Sequence, residues 1–355
     1  MESRKNILIF SGLFDKKLKE KIFPILESDL VNKVFLIRKD PFVFSHPKLK
    51  QYNTLKIFRK IIPLSEANRL IVGLIVMLFN KIDILIGIHY LMHCVYAYIL
   101  ARLFNKKYIF LLIESPDKYK GAKIFVKMLK GANIIGVKGS RSLNYVVSLG
   151  VPKEKLVILP NEFSSLNISE NVKKKIYDLI FIGNFRDVKD LPLWVSVFAK
   201  VKKEIPNVTG VMLGDGPRFE EIKELIKSKG LDKNITLAGR QTDVYKYIDV
   251  SKIMLLTSVS EGLPMVVVES MSRGVPAVCT NVGDITDIIE SGEDGLIINS
   301  RNPDDFSREI VKLLKDEEKL RGFSNKAVNS LKKQINDYSR EKIIMIWDEI
   351  LKKIS

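Results

Sequence analysis

The sequence predicts an α/β protein made of two Rossmann-like domains in tandem, each built on a parallel sheet. Three observations carry this. Short, continuously apolar runs alternate with helix-length amphipathic segments along the chain, the pattern of parallel strands covered on both faces by helices. The polar, aperiodic stretch 164–175 (SSLNISENVKKK) interrupts the alternation, which then restarts. At 355 residues the chain also exceeds the size at which a single hydrophobic core keeps growing.

In the N-terminal half, Lys5–Phe10 reads as a buried strand and Asp15–Leu26 as the helix that follows it. Lys33–Ile37, Ile82–Ile88, Tyr108–Ile113, Ile134–Val137 and Leu156–Leu159 are further strands, with helical runs such as Leu91–Phe104 and Ser140–Leu149 between them. Past the linker come strands at Tyr177–Ile182, Thr209–Leu213, Ile235–Ala238, Ile253–Thr257 and Pro276–Thr280. Helices at Leu191–Glu204, Phe219–Lys229 and Val266–Arg273 separate them. The last stretch, Tyr338–Ile354, is an amphipathic helix with Ile343, Ile344, Ile346, Trp347, Ile350 and Leu351 on one side. It either packs on the second domain or returns to brace the first. The expected division is residues 1–168, residues 169–337 and a closing helix over 338–355.

The apolar run Leu70–Phe79 (LIVGLIVMLF) would cover only about 15 Å as a helix, half of a bilayer core. A buried helix is therefore expected there ahead of a membrane-dipping segment. The N-terminal sequence MESRKNILIFSGLF starts polar, and its apolar run is short for a leader. Cys94 and Cys279 lie in apolar runs without metal-ligand or redox spacing, so buried reduced thiols are expected. Together these point to a cytoplasmic protein.

Charge divides unevenly. Residues 1–175 hold 31 Lys/Arg against 13 Asp/Glu, a net of +18, whereas residues 176–355 hold 27 against 28, a net of −1. A basic N-terminal half attracts anions, which makes it a candidate for the inner face of an anionic membrane or for a lipid-phosphate acceptor. Nucleic acid is not expected: helix-turn-helix, RNP and zinc-ligand signatures are absent, and the aromatics lie mostly in apolar runs.

The densest chemistry lies in Leu255–Glu269, LLTSVSEGLPMVVVE. It reads as a strand, a polar loop and a helix start, at the carboxyl edge where open α/β sheets bind ligands. Gly262 lets the backbone approach a ligand, and Pro264 suits a first helical turn whose N–H groups would face a phosphate. Glu261 and Glu269 flank this loop, and ionised carboxylates there suit sugar hydroxyls. A second cluster, Ile182–Asp190 (IGNFRDVKD), follows a strand; Gly183 opens its turn, and Arg186 and Lys189 supply two cations for a diphosphate. A third, Leu213–Pro217 (LGDGP), places Gly214 and Gly216 at another strand end.

From Tyr177 to Asn299 the sequence resembles the donor domain of glycosyltransferase family 4, the retaining enzymes of GT-B fold. Glu261 and Glu269 reproduce that family's E-x7-E pattern, and Val282–Gly283 and Gly292–Gly295 match further downstream. The resemblance implies a GT-B architecture, two Rossmann-like domains with parallel sheets facing across a cleft. It implies Arg186, Lys189 and Glu261 as catalytic residues. Donor binding would fall to Gly12, Gly183, Gly214, Gly216, Arg240, Ser258, Gly262, Leu263, Pro264 and Glu269, with Glu269 on the ribose hydroxyls.

Two departures stand out. Asn184 occupies a place where family members often carry Arg, and LLIESP follows Tyr108–Ile113 where many carry a His. Glu114 or Ser115 stands there instead, and His89, at another strand end, is a further candidate for the acceptor side. No Asp-x-Asp motif marks a strand end, so neither a metal nor another cofactor is expected beyond the nucleotide-diphosphate sugar. The expected activity is sugar transfer onto a saccharide or lipid-linked acceptor, in surface polysaccharide or glycolipid synthesis. A non-catalytic sugar-nucleotide-binding protein and a GT-B sugar-nucleotide epimerase remain as alternatives.

Overall fold

The structure is a computed structural model that describes residues 3–88, 91–115, 121–163, 166, 168 and 173–354. The chain divides into two compact units, residues 1–164 with 337–355, and residues 165–336. The stretch expected as a linker, 164–175, lies largely outside the described residues.

Unit 1 holds seven parallel strands: β1 (Lys5–Ser11), β2 (Val31–Arg38), β3 (Leu49–Asn53), β4 (Ile84–Ile88), β5 (Lys107–Leu111), β6 (Ile134–Val137) and β7 (Leu156–Ile158). Their order across the sheet is β3-β2-β1-β4-β5-β6-β7. Alternate side chains go to opposite faces, and both faces are covered, which is why the strands read as unbroken apolar runs. Leu8, Phe10, Leu85 and Phe110 pack in one core with Cys94, Leu100, Phe125 and Val146 from three helices. Ile7, Ile9, Leu36 and Ile86 pack on the other face with Leu18 and Ile22 of the helix Asp15–Glu27.

The closing helix Arg340–Lys353 joins that second core through Ile343, Trp347, Ile350 and Leu351. The chain's return is fixed by Phe163 stacked on Tyr338, with ring centroids 4.2 Å apart, and by Arg340 paired with Glu162 at 2.8 Å.

Unit 2 holds six parallel strands: β8 (Tyr177–Ile182), β9 (Gly210–Leu213), β10 (Ile235–Gly239), β11 (Ser251–Leu256), β12 (Ala277–Thr280) and β13 (Leu296–Ile298). Their order is β10-β9-β8-β11-β12-β13. The chain steps outward from β8 to β10, then jumps back to the far side of β8 with β11. Connections therefore leave β8 and β11 in opposite directions, and a crevice opens at their carboxyl ends.

Among the elements that differ from the sequence expectation are two strands and one helix. β3 and β13 were not expected, and each is an outermost strand. β3 (LKQYN) is half-exposed and polar, as an edge strand with one open side is free to be. The run Leu70–Phe79 belongs to a longer helix, Ile62–Phe79, which Pro63 opens in its first turn. Only 28% of it is buried, so the expectation of a buried helix fails. Its outward face is apolar, and its inward face joins the polar Ser65, Asn68 and Arg69 to Gly73, Val76 and Met77. Both cysteines are buried and free, and burial raises both thiol pKa values, that of Cys279 to about 12.

Trp347 is 2% exposed and Met345, on the same helix, is 55% exposed. Trp347→Ala is expected to destabilise unit 1 by about 3–5 kcal/mol in urea unfolding, against less than about 0.5 kcal/mol for Met345→Ala.

Candidate functional site at the carboxyl edge of the second sheet

The loops after β8, β9, β10 and β11 all emerge on the carboxyl edge of unit 2, and they carry every candidate residue of that unit outside the helix Met265–Met271. The loop after β8 is anchored by Phe185, fully buried between Phe181 and Phe219 with ring centroids 5.8 and 5.2 Å away. Arg186 stays extended and exposed. A short 3-10 turn, Asp187–Lys189, then brings Lys189 inward. Lys189 Nζ donates to Glu261 Oε1 at 2.5 Å, and the two side chains are 16% and 17% exposed. This ion pair bridges the β8 and β11 loops across the switch point, and Val259 N–H adds a bond to the Val188 carbonyl at 2.8 Å.

Asp190 ends the turn in the left-handed region (φ 43°) and caps the helix Leu191–Glu204, accepting from Leu193 N–H. A non-glycine residue there costs about 1–2 kcal/mol. Two side chains hold it: Thr257 Oγ1 donates to the Lys189 and Asp190 carbonyls, both at 3.0 Å. Arg301 pairs with the Asp190 carboxylate while donating to the Thr257 and Ser258 carbonyls at 2.9 and 3.2 Å. Arg301 escaped the sequence reading because it lies over a hundred positions from Asp190, in the loop after β13. Arg218 escaped it likewise; it pairs with Asp187 at 2.5 Å and with Glu221.

The glycines of the β8 and β9 loops hold loop against loop. Gly214 has φ 138°, and a Cβ there would lie 1.8 Å from the Gly183 carbonyl oxygen. Gly216 (φ 154°) meets the Phe185 backbone at 2.7 Å in the same way. Gly183 itself lies against the Lys189 stem, its Cβ position 3.3 Å from Lys189 Cε. The β11 loop is locked by a third contact. Asp284 N–H donates to the Gly262 carbonyl at 2.8 Å, and a side chain at Gly283 would collide with that oxygen.

Leu263 and Pro264 are buried and lead into the helix Met265–Met271, whose start no side chain caps. Ser258 is fully buried, and its Oγ has no hydrogen-bond partner among the described residues, an orphan polar atom beside the ion pair's loop. Glu269 is half-buried on that helix. Its charge reaches Tyr245, whose phenol burial raises above its ordinary pKa, with the Glu269 carboxylate adding and Arg273 opposing. Arg240 is exposed, directly after β10.

The remaining candidates belong to unit 1. Gly12 follows β1, and Glu114 is half-buried past the end of β5. His89 lies outside the described residues. Among the described residues, no group of three or more His, Cys, Asp or Glu side chains is placed to hold a metal ion.

Two Rossmann-like units of this topology define the GT-B class of folds. HepE of Anabaena, solved with UDP and glucose, superposes with a TM-score of 0.76 over 98% of this chain and 100% of its own, at 15% identity. Residues 164–330, which contain the site just described, match the family model of glycosyl transferases group 1. N-acetyl-alpha-D-glucosaminyl L-malate synthase of Bacillus anthracis is 30% identical over 197 residues, 56% of this chain and 51% of that enzyme. A Campylobacter jejuni undecaprenol-diphosphate-linked saccharide N-acetylgalactosaminyltransferase is 25% identical over 58% of this chain and 56% of its own length. The chain thus spans about half the length of these two relatives.

Gly214→Ala is expected to cost at least about 3 kcal/mol of unit 2 stability, since the backbone must move. Gly230→Ala, also at positive φ (63°) but with nothing within 4 Å of the new Cβ, should cost about 1–2 kcal/mol in the same denaturation experiment.

Proposed function

We propose that the chain is a retaining glycosyltransferase. It moves a sugar from a nucleotide-diphosphate sugar, held by unit 2, to a saccharide or lipid-linked acceptor held by basic unit 1. The observation that carries this is the Lys189–Glu261 pair set across the β8/β11 switch point, inside the segment that matches the family model. A cation and a carboxylate held together there suit a ligand with a diphosphate next to a polyol. On binding, Lys189 exchanges Glu261 for a phosphate oxygen, and Glu261 turns to the sugar hydroxyls. Glu269 takes the ribose hydroxyls. Arg186 adds charge as the diphosphate leaves.

In the transfer step the bond from the anomeric carbon to the diphosphate oxygen breaks. The acceptor oxygen bonds to that carbon on the same face, and its proton passes to the departing phosphate oxygen. The E-x7-E resemblance to glycosyltransferase family 4 supports the retaining course, which needs no metal in this reading. HepE, solved with UDP and glucose, supports a nucleotide-sugar donor, and the Campylobacter enzyme's undecaprenol-linked acceptor supports a lipid-linked one. The basic N-terminal half supports a reaction at the cytoplasmic face of a membrane, in surface polysaccharide or glycolipid synthesis.

The test is incubation with UDP-, GDP- and ADP-sugars and lipid-linked saccharides, with product anomers read by NMR. Transfer with retained configuration is the expected result; an inverted product refutes the retaining course, and epimerised donor without transfer refutes the transferase reading. Lys189→Ala should lower turnover at least about tenfold. Near-normal turnover would remove Lys189 from the mechanism.

A further inference from the structure

We infer that the outward face of the helices Ile62–Phe79 and Leu91–Leu103 docks on an anionic lipid bilayer, with the first helix lying along the surface instead of crossing it. This names the surface for the membrane association in the proposed function, and it rests on that part of the reading.

The first helix seats Gly73, Val76 and Met77 on the core, yet much of its apolar surface lies outside it. Its polar residues face the fold: Ser65, Asn68 and Arg69 are at most 9% exposed. Arg69 pairs with Glu66 and donates to His93 Nε2 at 2.6 Å, and Tyr96 donates to Glu66 at 2.6 Å. Several apolar residues face outward. Leu64, Ile71, Ile75 and Leu78 recur at helical spacing along one stripe, 45% to 62% exposed, and Phe79 beside it is 81% exposed. The neighbouring helix packs on the same core and adds Ile99 and Leu103 at 44% and 67%. Scattered exposed apolar side chains need no explanation, but a stripe of them along one helix, with more on the helix packed beside it, does.

Charge decides the partner. The helices Ile62–Phe79, Leu91–Leu103 and Lys123–Gly131 contain one acidic residue between them, Glu66, which Arg69 neutralises. Around the stripe stand Lys56, Arg59 and Lys60 before the first helix, Lys81 after it, and Arg102 and Lys107 at the end of the second. An apolar stripe with this many flanking cations matches the acyl and headgroup layers of an anionic bilayer. A second copy of the same face would bring these cations together and repel.

The helix is long and apolar enough to span by length and composition. The fold argues against spanning. Gly73 seats the helix on the sheet, where a Cβ would lie 2.5 Å from Phe10 and 2.9 Å from Leu100. Crossing would also move Arg69 and its buried partners into hydrocarbon.

The experiment is co-sedimentation of the full chain with phosphatidylcholine vesicles, with and without phosphatidylglycerol, at low and high salt. The triple variant Ile71→Ser, Ile75→Ser, Leu78→Ser is compared with Val43→Ser, a 90% exposed control in the same unit. The wild type and the control should bind only the anionic vesicles. The triple variant should lose partitioning at least about tenfold, with its unfolding midpoint and sedimentation mass unchanged. Unchanged binding by the triple variant overturns the inference, as does wild-type binding that ignores phosphatidylglycerol. A fall in mass on substitution would assign the face to self-association instead. Nucleotide affinity, measured in parallel, reports on unit 2 alone, so failure of the transfer reading shows there and not in the vesicles.

Discussion

The candidate site depends on one constraint, the pairing of Lys189 with Glu261 across the point where the strand order of unit 2 reverses. Both side chains are withdrawn about five-sixths from solvent, and 72 positions separate them in sequence. Charges withdrawn this far are costly unless paired. In the free chain each is the other's counterion, so a ligand must offer both a negative and a hydroxyl-rich surface to displace the pair without loss. Few metabolites do so as well as a nucleotide-diphosphate sugar.

What surrounds the pair is rigid backbone. Phe185 anchors one side of the β8 loop, Asp190 caps a helix on the other, and Arg301 and Thr257 tie it to the end of β11. The glycine contacts at Gly214, Gly216 and Gly283 bring neighbouring loops to distances that a side chain would forbid. Such a frame leaves little loop entropy to lose on binding, the usual source of affinity in preorganised sites. The side chains free to change partners are few and project from a fixed base.

Much of the fold was legible in the sequence because parallel strands covered on both faces announce themselves as apolar runs, and Ile7–Phe10 or Ile253–Leu256 could be little else. The outermost strands β3 and β13 were not legible, since one open side frees them from that pattern. The start of the helix Ile62–Phe79 was hidden because its inward residues are the polar ones, inverting the usual cue. In the site, Lys189, Glu261 and the glycines were visible as residue types at strand ends. That Gly214 serves the Gly183 carbonyl was not, nor that Arg301 holds Asp190. Those relations cross between strands and exist only once the sheet has formed.

The central claim is that the β8/β11 crevice of unit 2 holds a nucleotide diphosphate with Glu269 on its ribose. Calorimetric titration of the intact chain with UDP, GDP and ADP, repeated on Glu269→Ala, tests it most directly. The account predicts that one of the three binds and that the substitution weakens it about tenfold or more, the loss of hydrogen bonds to a charged acceptor. Binding of none of them, or an affinity indifferent to Glu269, would contradict it.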